Sequence, residues 1–126
     1  MSFGNTSLKE WAERAYACAK WKGFHDDDAT RSERENVAVY LLNIHGEASE
    51  AWEAFRNGKL RELCDKAEKM RTIRVKPLTC IEEELADIVI RAFDTAEAMG
   101  IDIEQAVRSK MAYNETRPHK HGGKLA

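Results

Sequence analysis

The stretch Ser32-Glu33-Arg34-Glu35-Asn36-Val37-Ala38-Val39-Tyr40-Leu41-Leu42-Asn43-Ile44-His45-Gly46-Glu47-Ala48-Ser49-Glu50-Ala51-Trp52-Glu53-Ala54-Phe55-Arg56 decides the fold. Ser32 with Glu35 three residues later is a capping box, the pattern in which each partner satisfies an unpaired amide at the start of a helix. No proline interrupts residues 33–57, and Gly58 stands where a helix of this length would end after Asn57. Laid out at about 100° per residue, Val37, Leu41, Ile44, Ala48, Trp52 and Phe55 share one broad apolar face, which is expected to enter the core. Glu47 and Glu50, three residues apart, are placed at a border of that face, in a stripe with Asn43 and Ala54.

The same design repeats on either side. Ser7 with Glu10 opens a first helix over residues 8–21, stopped near Gly23. Thr79 with Glu82 opens a third that runs through Ala98 to Gly100, and Asp102 with Gln105 opens a fourth that ends before Pro118. The third helix carries Ile81, Leu85, Ile88, Val89, Ala92, Phe93, Ala96 and Met99 on an apolar arc, with Glu84, Asp87, Arg91 and Asp94 on the opposite stripe. Residues 24–30, including His25, read as a polar loop, and residues 59–79 as a surface excursion in which Leu60, Leu63, Cys64 and Ala67 have the spacing of a short amphipathic helix. The expectation is an all-α, four-helix bundle in a single domain over residues 1–126, with a basic tail at 118–126.

Composition agrees with this class. The chain has 126 residues, 43% of them hydrophobic and 33% charged, with only 2 Pro and 7 Gly, which suits helices better than a turn-rich β fold. The 20 Lys and Arg nearly balance the 22 Asp and Glu, so no excess positive field exists to hold a nucleic-acid polymer. No run approaches the length of a membrane span, and the N-terminus lacks a leader pattern, so a soluble, cytoplasmic protein is expected. Cys18, Cys64 and Cys80 show neither CxxC nor CxxH spacing and are read as reduced filler.

Two acidic pairs on two helices that must pack together make a candidate site for a hard divalent cation such as Mg²⁺, with Mn²⁺ as a substitute, because such ions take carboxylate oxygens and leave positions for water and phosphate. An ExxE or ExxD pair on a helix is more often a solvated face. Against that reading stand the placement of both pairs beside an apolar face and the small Gly46 and Ala54 nearby. A di-iron bundle is disfavoured because no ExxH occurs. His45 reads as a core-edge histidine. On the fourth helix Lys110, Asn114 and Arg117 continue the stripe of Ile103 and Val107, as if its polar end faces an anion, and Trp21 and Phe24 are candidate platforms for a base.

Three blocks, His45-Gly-Glu47-Ala-Ser-Glu50-Ala-Trp-Glu-Ala-Phe-Arg56, Glu83-Glu84-Leu-Ala-Asp87-Ile-Val-Ile-Arg91 and Lys110-Met-Ala-Tyr-Asn114-Glu-Thr-Arg117-Pro-His-Lys-His121-Gly-Gly-Lys124, resemble the MazG-like all-α nucleoside triphosphate pyrophosphohydrolases. The resemblance covers helices two to four and the tail. It implies a helical protomer that forms a homodimer or homotetramer, Mg²⁺ held by Glu47, Glu50, Glu84 and Asp87 between helices two and three, and cleavage of a nucleoside triphosphate to the monophosphate and pyrophosphate. Lys110 and Asn114 are then the expected substrate contacts, supported by Arg117; the residues themselves add Lys124 as positive charge at the phosphates and Trp21 as the platform at the base. The competing expectation is a non-catalytic helical interaction or regulatory module whose acidic stripes face water.

Overall fold

A computed structural model describes residues 4–119 of the chain. It contains five α-helices, α1 (Leu8–Trp21), α2 (Glu33–Arg56), α3 (Ala67–Thr72), α4 (Cys80–Ala98) and α5 (Ile103–Glu115), with one turn of 3₁₀ helix at Asp28–Thr30. The boundaries arise from local chemistry. Ser7, Ser32 and Thr79 each accept from the amide three residues on while Glu10, Glu35 and Glu82 reach back to the cap, and Asp102 accepts from the Gln105 amide. Gly58 and Gly100 take positive φ of 67° and 68° just past α2 and α4, where a left-handed residue lets the chain turn away.

The helix α4 is the central element, flanked by α2 on one side and α1 on the other, with α5 touching α1 and α4. The buried apolar residues are Ala12, Tyr40, Cys64, Ala67 and Ala96, and no large side chain is fully buried among the described residues. The core of one protomer is therefore small, completed by half-buried residues such as Ile44, Ile81, Ile88 and Phe93. No helix among the described residues is long and apolar enough to cross a membrane.

The apolar stripe of α2 enters the protomer only along one edge, where Val37 and Ile44 are half-buried. Leu41, Ala48, Trp52 and Phe55 are exposed, Trp52 at 60%, and on the first half of α4 Leu85 and Val89 are exposed as well, Leu85 at 55%. The face of α2 turned to α4 carries Asn36, Tyr40, Glu47, Ala51 and Ala54 instead, all buried or half-buried. The amphipathic rule assigns the apolar stripe inward only when one chain supplies both sides of the core; here the polar stripes of two helices face each other.

The segment between α2 and α4 is also more firmly held than a surface excursion. Its helix begins only at Ala67, because residues 62–64 pair with residues 78–80: Leu63 bridges Thr79, the Cys64 amide donates to Leu78 O at 2.8 Å and the Cys80 amide to Glu62 O at 2.8 Å. Local periodicity cannot foresee a partner segment that many residues away.

Candidate metal and nucleotide site

Facing polar stripes bring the two acidic pairs together. One carboxylate oxygen each from Glu47, Glu50 and Glu84 lies within 4.8 Å of the others, a separation at which one cation reaches all three. Asp87 is one turn from Glu84 and lines the same cleft as Glu47. These charges oppose one another. Burial, followed by the charges of Glu50, Glu83 and Asp87, pushes the Glu84 carboxyl up to about 7. Glu50 is raised by its hydrogen-bonded contact with Glu47 and then by burial, and Asp87 by burial and then by Glu47 and Glu83. Glu84 Oε2 is buried without a hydrogen-bond partner. A divalent cation fits this donor set, because it would satisfy the orphaned oxygen and cancel the repulsion with oxygen ligands alone.

Cations border the acids on both sides. Arg91 Nε donates to Glu47 Oε1 at 3.2 Å, and its guanidinium lies 5.4 Å from the centre of the Phe24 ring. On the other side Lys66 Nζ donates to the buried carboxylate of Glu83, which raises the Lys66 ammonium. Two clefts flank the cluster. One, of about 420 Å³, runs between α1 and α4 and is lined by the acids Glu47, Asp87 and Asp94, the cations Arg14, Lys22 and Arg91, and an apolar wall that includes Trp11, Phe24 and Phe93. The other, of about 430 Å³, is lined by Glu50, Glu84, Glu83, Lys66 and Cys80.

Other residues singled out in the sequence stand elsewhere. Trp21 projects from the end of α1 at 85% exposure and does not line either cleft, whereas its neighbour Phe24 does. Lys110 and Arg117 both lie over the ring of Tyr113, at 5.0 and 5.6 Å from its centre, and Asn114 Oδ1 is buried without a partner. No residue of α5 lines either cleft. His45 is exposed rather than at a core edge. Lys124 and the His-Gly-Gly-Lys tail lie outside the described residues.

Sequence reasoning passes over four residues that the fold makes important: His25, Lys66, Glu83 and Arg91. Arg91 has a visible signal, its place one turn beyond Asp87 on the acidic stripe. The α4 partners of His25 and Lys66, Asp94 and Glu83, lie 69 and 17 residues away, so only tertiary structure reveals them. Searches against known protein families, curated proteins and solved structures found no match.

Proposed function

We propose that this chain is a Mg²⁺-dependent nucleotide pyrophosphohydrolase that converts a (deoxy)nucleoside triphosphate to the monophosphate and pyrophosphate, a reaction suited to clearing unwanted nucleotides from the pool. The observation that carries the reading is the convergence of Glu47, Glu50 and Glu84 within 4.8 Å, with a buried, unpartnered oxygen on Glu84. Glu47, Glu50, Glu84 and Asp87 are the residues that would hold the metal. Bound there, Mg²⁺ supplies charge for the phosphates and acidifies a water for attack at phosphorus.

The remaining roles fall to this chain's own groups. Arg14, Lys22 and Arg91 place positive charge beside Glu47, Asp87 and Asp94 in a cleft whose walls, with Trp11, Ile90 and Phe93, are otherwise largely apolar. Phe24, held against Arg91 on one face and open on the other, offers a ring for a base to stack on. Lys110, Asn114 and Arg117 reach the substrate only if α5 or a second copy brings them to a cleft, since none lines one within the protomer.

The second copy is the partner that the exposed stripe fits. Leu41, Trp52, Phe55, Leu85 and Val89 lie exposed on α2 and α4, whose facing sides carry the acidic cluster. A chain with no fully buried large side chain among its described residues gains the most by burying that stripe against its own duplicate, and a homodimer or homotetramer does this.

The test is a pyrophosphate-release screen over natural and modified (deoxy)nucleoside triphosphates with Mg²⁺ or Mn²⁺. The expected result is metal-dependent release of monophosphate and pyrophosphate in equal amounts, abolished in Glu50→Gln and Asp87→Asn. Full activity in those variants sinks the ligand assignment. Silence across the panel, together with no thermal shift from Mg²⁺ plus a non-hydrolysable nucleotide, favours the interaction module.

A further inference from the structure

One imidazole holds the connection between α1 and α2 from inside. The His25 side chain is 8% exposed, with Nδ1 2.7 Å from Asp28 Oδ2 on the 3₁₀ turn and Nε2 2.7 Å from Asp94 Oδ1 on α4. Tyr16 of α1 and Tyr40 of α2 pack edge-on against the ring, with centroids 5.0 and 5.5 Å away. Tyr40 Oη also donates to Asp28 Oδ2, and Arg31 Nη2 donates to Asp28 Oδ1 at 3.0 Å. The groups facing the imidazole are therefore two carboxylates and two phenols, with a guanidinium behind one carboxylate. A carboxylate at each ring nitrogen calls for two N–H donors, which only the imidazolium provides. Burial opposes that charge, but the hydrogen bonds and charges of Asp28 and Asp94 outweigh it and hold the pKa above 6.5.

The cleft wall begins one residue away. Phe24 precedes His25 and lies against Arg91, which holds Glu47, and Asp94 is one helical turn beyond Arg91 on α4. Phe24, Arg91 and Asp94 all line the cleft between α1 and α4. The imidazole thus ties the loop that carries Phe24 to the same turns of α4 that carry Arg91.

We propose that His25 is a positioning residue for the nucleotide: bonded to Asp28 and Asp94 at once, it keeps Phe24 over Arg91 and so fixes the wall of the cleft that receives the nucleoside end of the substrate. This rests on the nucleotide reading of that cleft. The contacts of His25 run to Asp28, Asp94, Tyr16 and Tyr40 rather than to Glu47, Glu50, Glu84 or Asp87, so its effect falls on substrate binding and not on the metal. The latch is closed while the ring is protonated and loosens as pH rises through its raised pKa.

The decisive variant is His25→Gln, which keeps one donor and loses the charge. Below its melting temperature the variant should show a KM for nucleotide raised at least tenfold, with kcat and the Mg²⁺ midpoint within threefold of wild type. At saturating Mg²⁺, which holds the acidic cluster deprotonated throughout, the wild-type KM should rise with pH across the His25 titration, and the variant should lack that rise. A folded variant with KM within twofold of wild type, or with the wild-type pH profile, overturns the proposal. Should the variant fail to fold, residue-assigned NMR on the wild-type chain decides: the Phe24–Arg91 NOE must weaken as His25 deprotonates, and an NOE that persists overturns it. If wild type releases no pyrophosphate from any nucleotide, the proposed function falls separately. The positioning role is then read from the same NOE in His25→Gln, where loss supports it and persistence overturns it.

Discussion

Arg91 on α4 donates through Nε to Glu47 Oε1 on α2 at 3.2 Å, so one carboxylate of the acidic cluster is already paired with a cation of the protein itself. Replacing that cation should split two properties that usually move together. In Arg91→Met the cluster becomes more negative, and Mg²⁺ binding without nucleotide should tighten about three- to tenfold, the ~1 kcal/mol of one partly buried ion pair. The KM for nucleotide should rise at least about tenfold, because the phosphates lose a charge-assisted donor. Calorimetric titration of Mg²⁺ and steady-state kinetics check the two halves, and weaker Mg²⁺ binding in the variant contradicts the charge argument.

The acidic cluster also dictates a pH dependence. The folded-state value for Glu84 is about 7 against an ordinary 4.5, so between those values the native chain binds more protons than the unfolded one. Its contribution to stability is then fully present below about pH 4.5 and is lost as pH rises through 7. Glu50 and Asp87, also raised, act in the same direction, whereas the lowered Asp28 contributes stability that is lost as the solution becomes strongly acidic. In chelator, the melting temperature should be higher at pH 5.5 than at pH 8 by about 3 °C or more. Glu84→Gln should reduce the difference, and saturating Mg²⁺ should remove the share that comes from the acidic cluster by stabilising the pH 8 form. Because His25 shifts stability in the same sense, the comparison of Glu84→Gln with His25→Gln assigns the share of each.

Association should result from the outward apolar stripe. Light scattering should find a dimer or larger species, and Trp52→Glu should shift it to monomer with a melting temperature lower by several degrees. A monomeric wild type at micromolar concentration refutes the assignment of this stripe to a second copy.

Glu83 and Lys66 form a pair with unequal burial, the glutamate side chain 10% exposed and the lysine 59%. Lys66→Met leaves the buried carboxylate without its partner and should cost about 1–3 kcal/mol in denaturant unfolding. The double variant Lys66→Met/Glu83→Met should recover most of that loss, since removing both partners leaves no unpaired charge. A single variant as stable as wild type shows that the pair contributes nothing measurable.

Gly46 offers a converse case. A Cβ built there meets nothing within 4 Å, and the residue sits inside an exposed turn of α2. Gly46→Ala should stabilise the protein by about 0.5–1 kcal/mol through helix propensity alone. Unchanged KM in this variant shows that the gap beside Glu47 is not used by substrate, and an increased KM shows that it is.

The helices themselves are legible in the sequence because their signals are local. Each capping pair spans three residues, and Ser7–Glu10, Ser32–Glu35 and Thr79–Glu82 form in the structure as the spacing predicts. The acidic pairs are legible as pairs, since three-residue spacing puts Glu47 beside Glu50 and Glu84 beside Asp87. Which way those pairs face is not, because the hydrophobic pattern of α2 describes which side shuns water and not which molecule covers it. Periodicity therefore sends Leu41, Trp52 and Phe55 to the core of one chain, and their exposure reverses that assignment.

His25 marks the same boundary from the other side. In a run of aspartates it reads as part of a solvated loop, and only the arrival of Asp94 from 69 residues away makes a buried imidazole tolerable. The helical class, the starts and stops of the helices and the spacing of the acids are all set by interactions within one or two turns, and the order of residues suffices to read them. The pairing of the two polar stripes across α2 and α4, the salt-bridged frame of His25, Lys66 and Arg91, and the outward turn of the apolar stripe emerge only when the chain is folded. Those depend on contacts between distant residues, whose geometry no local periodicity encodes.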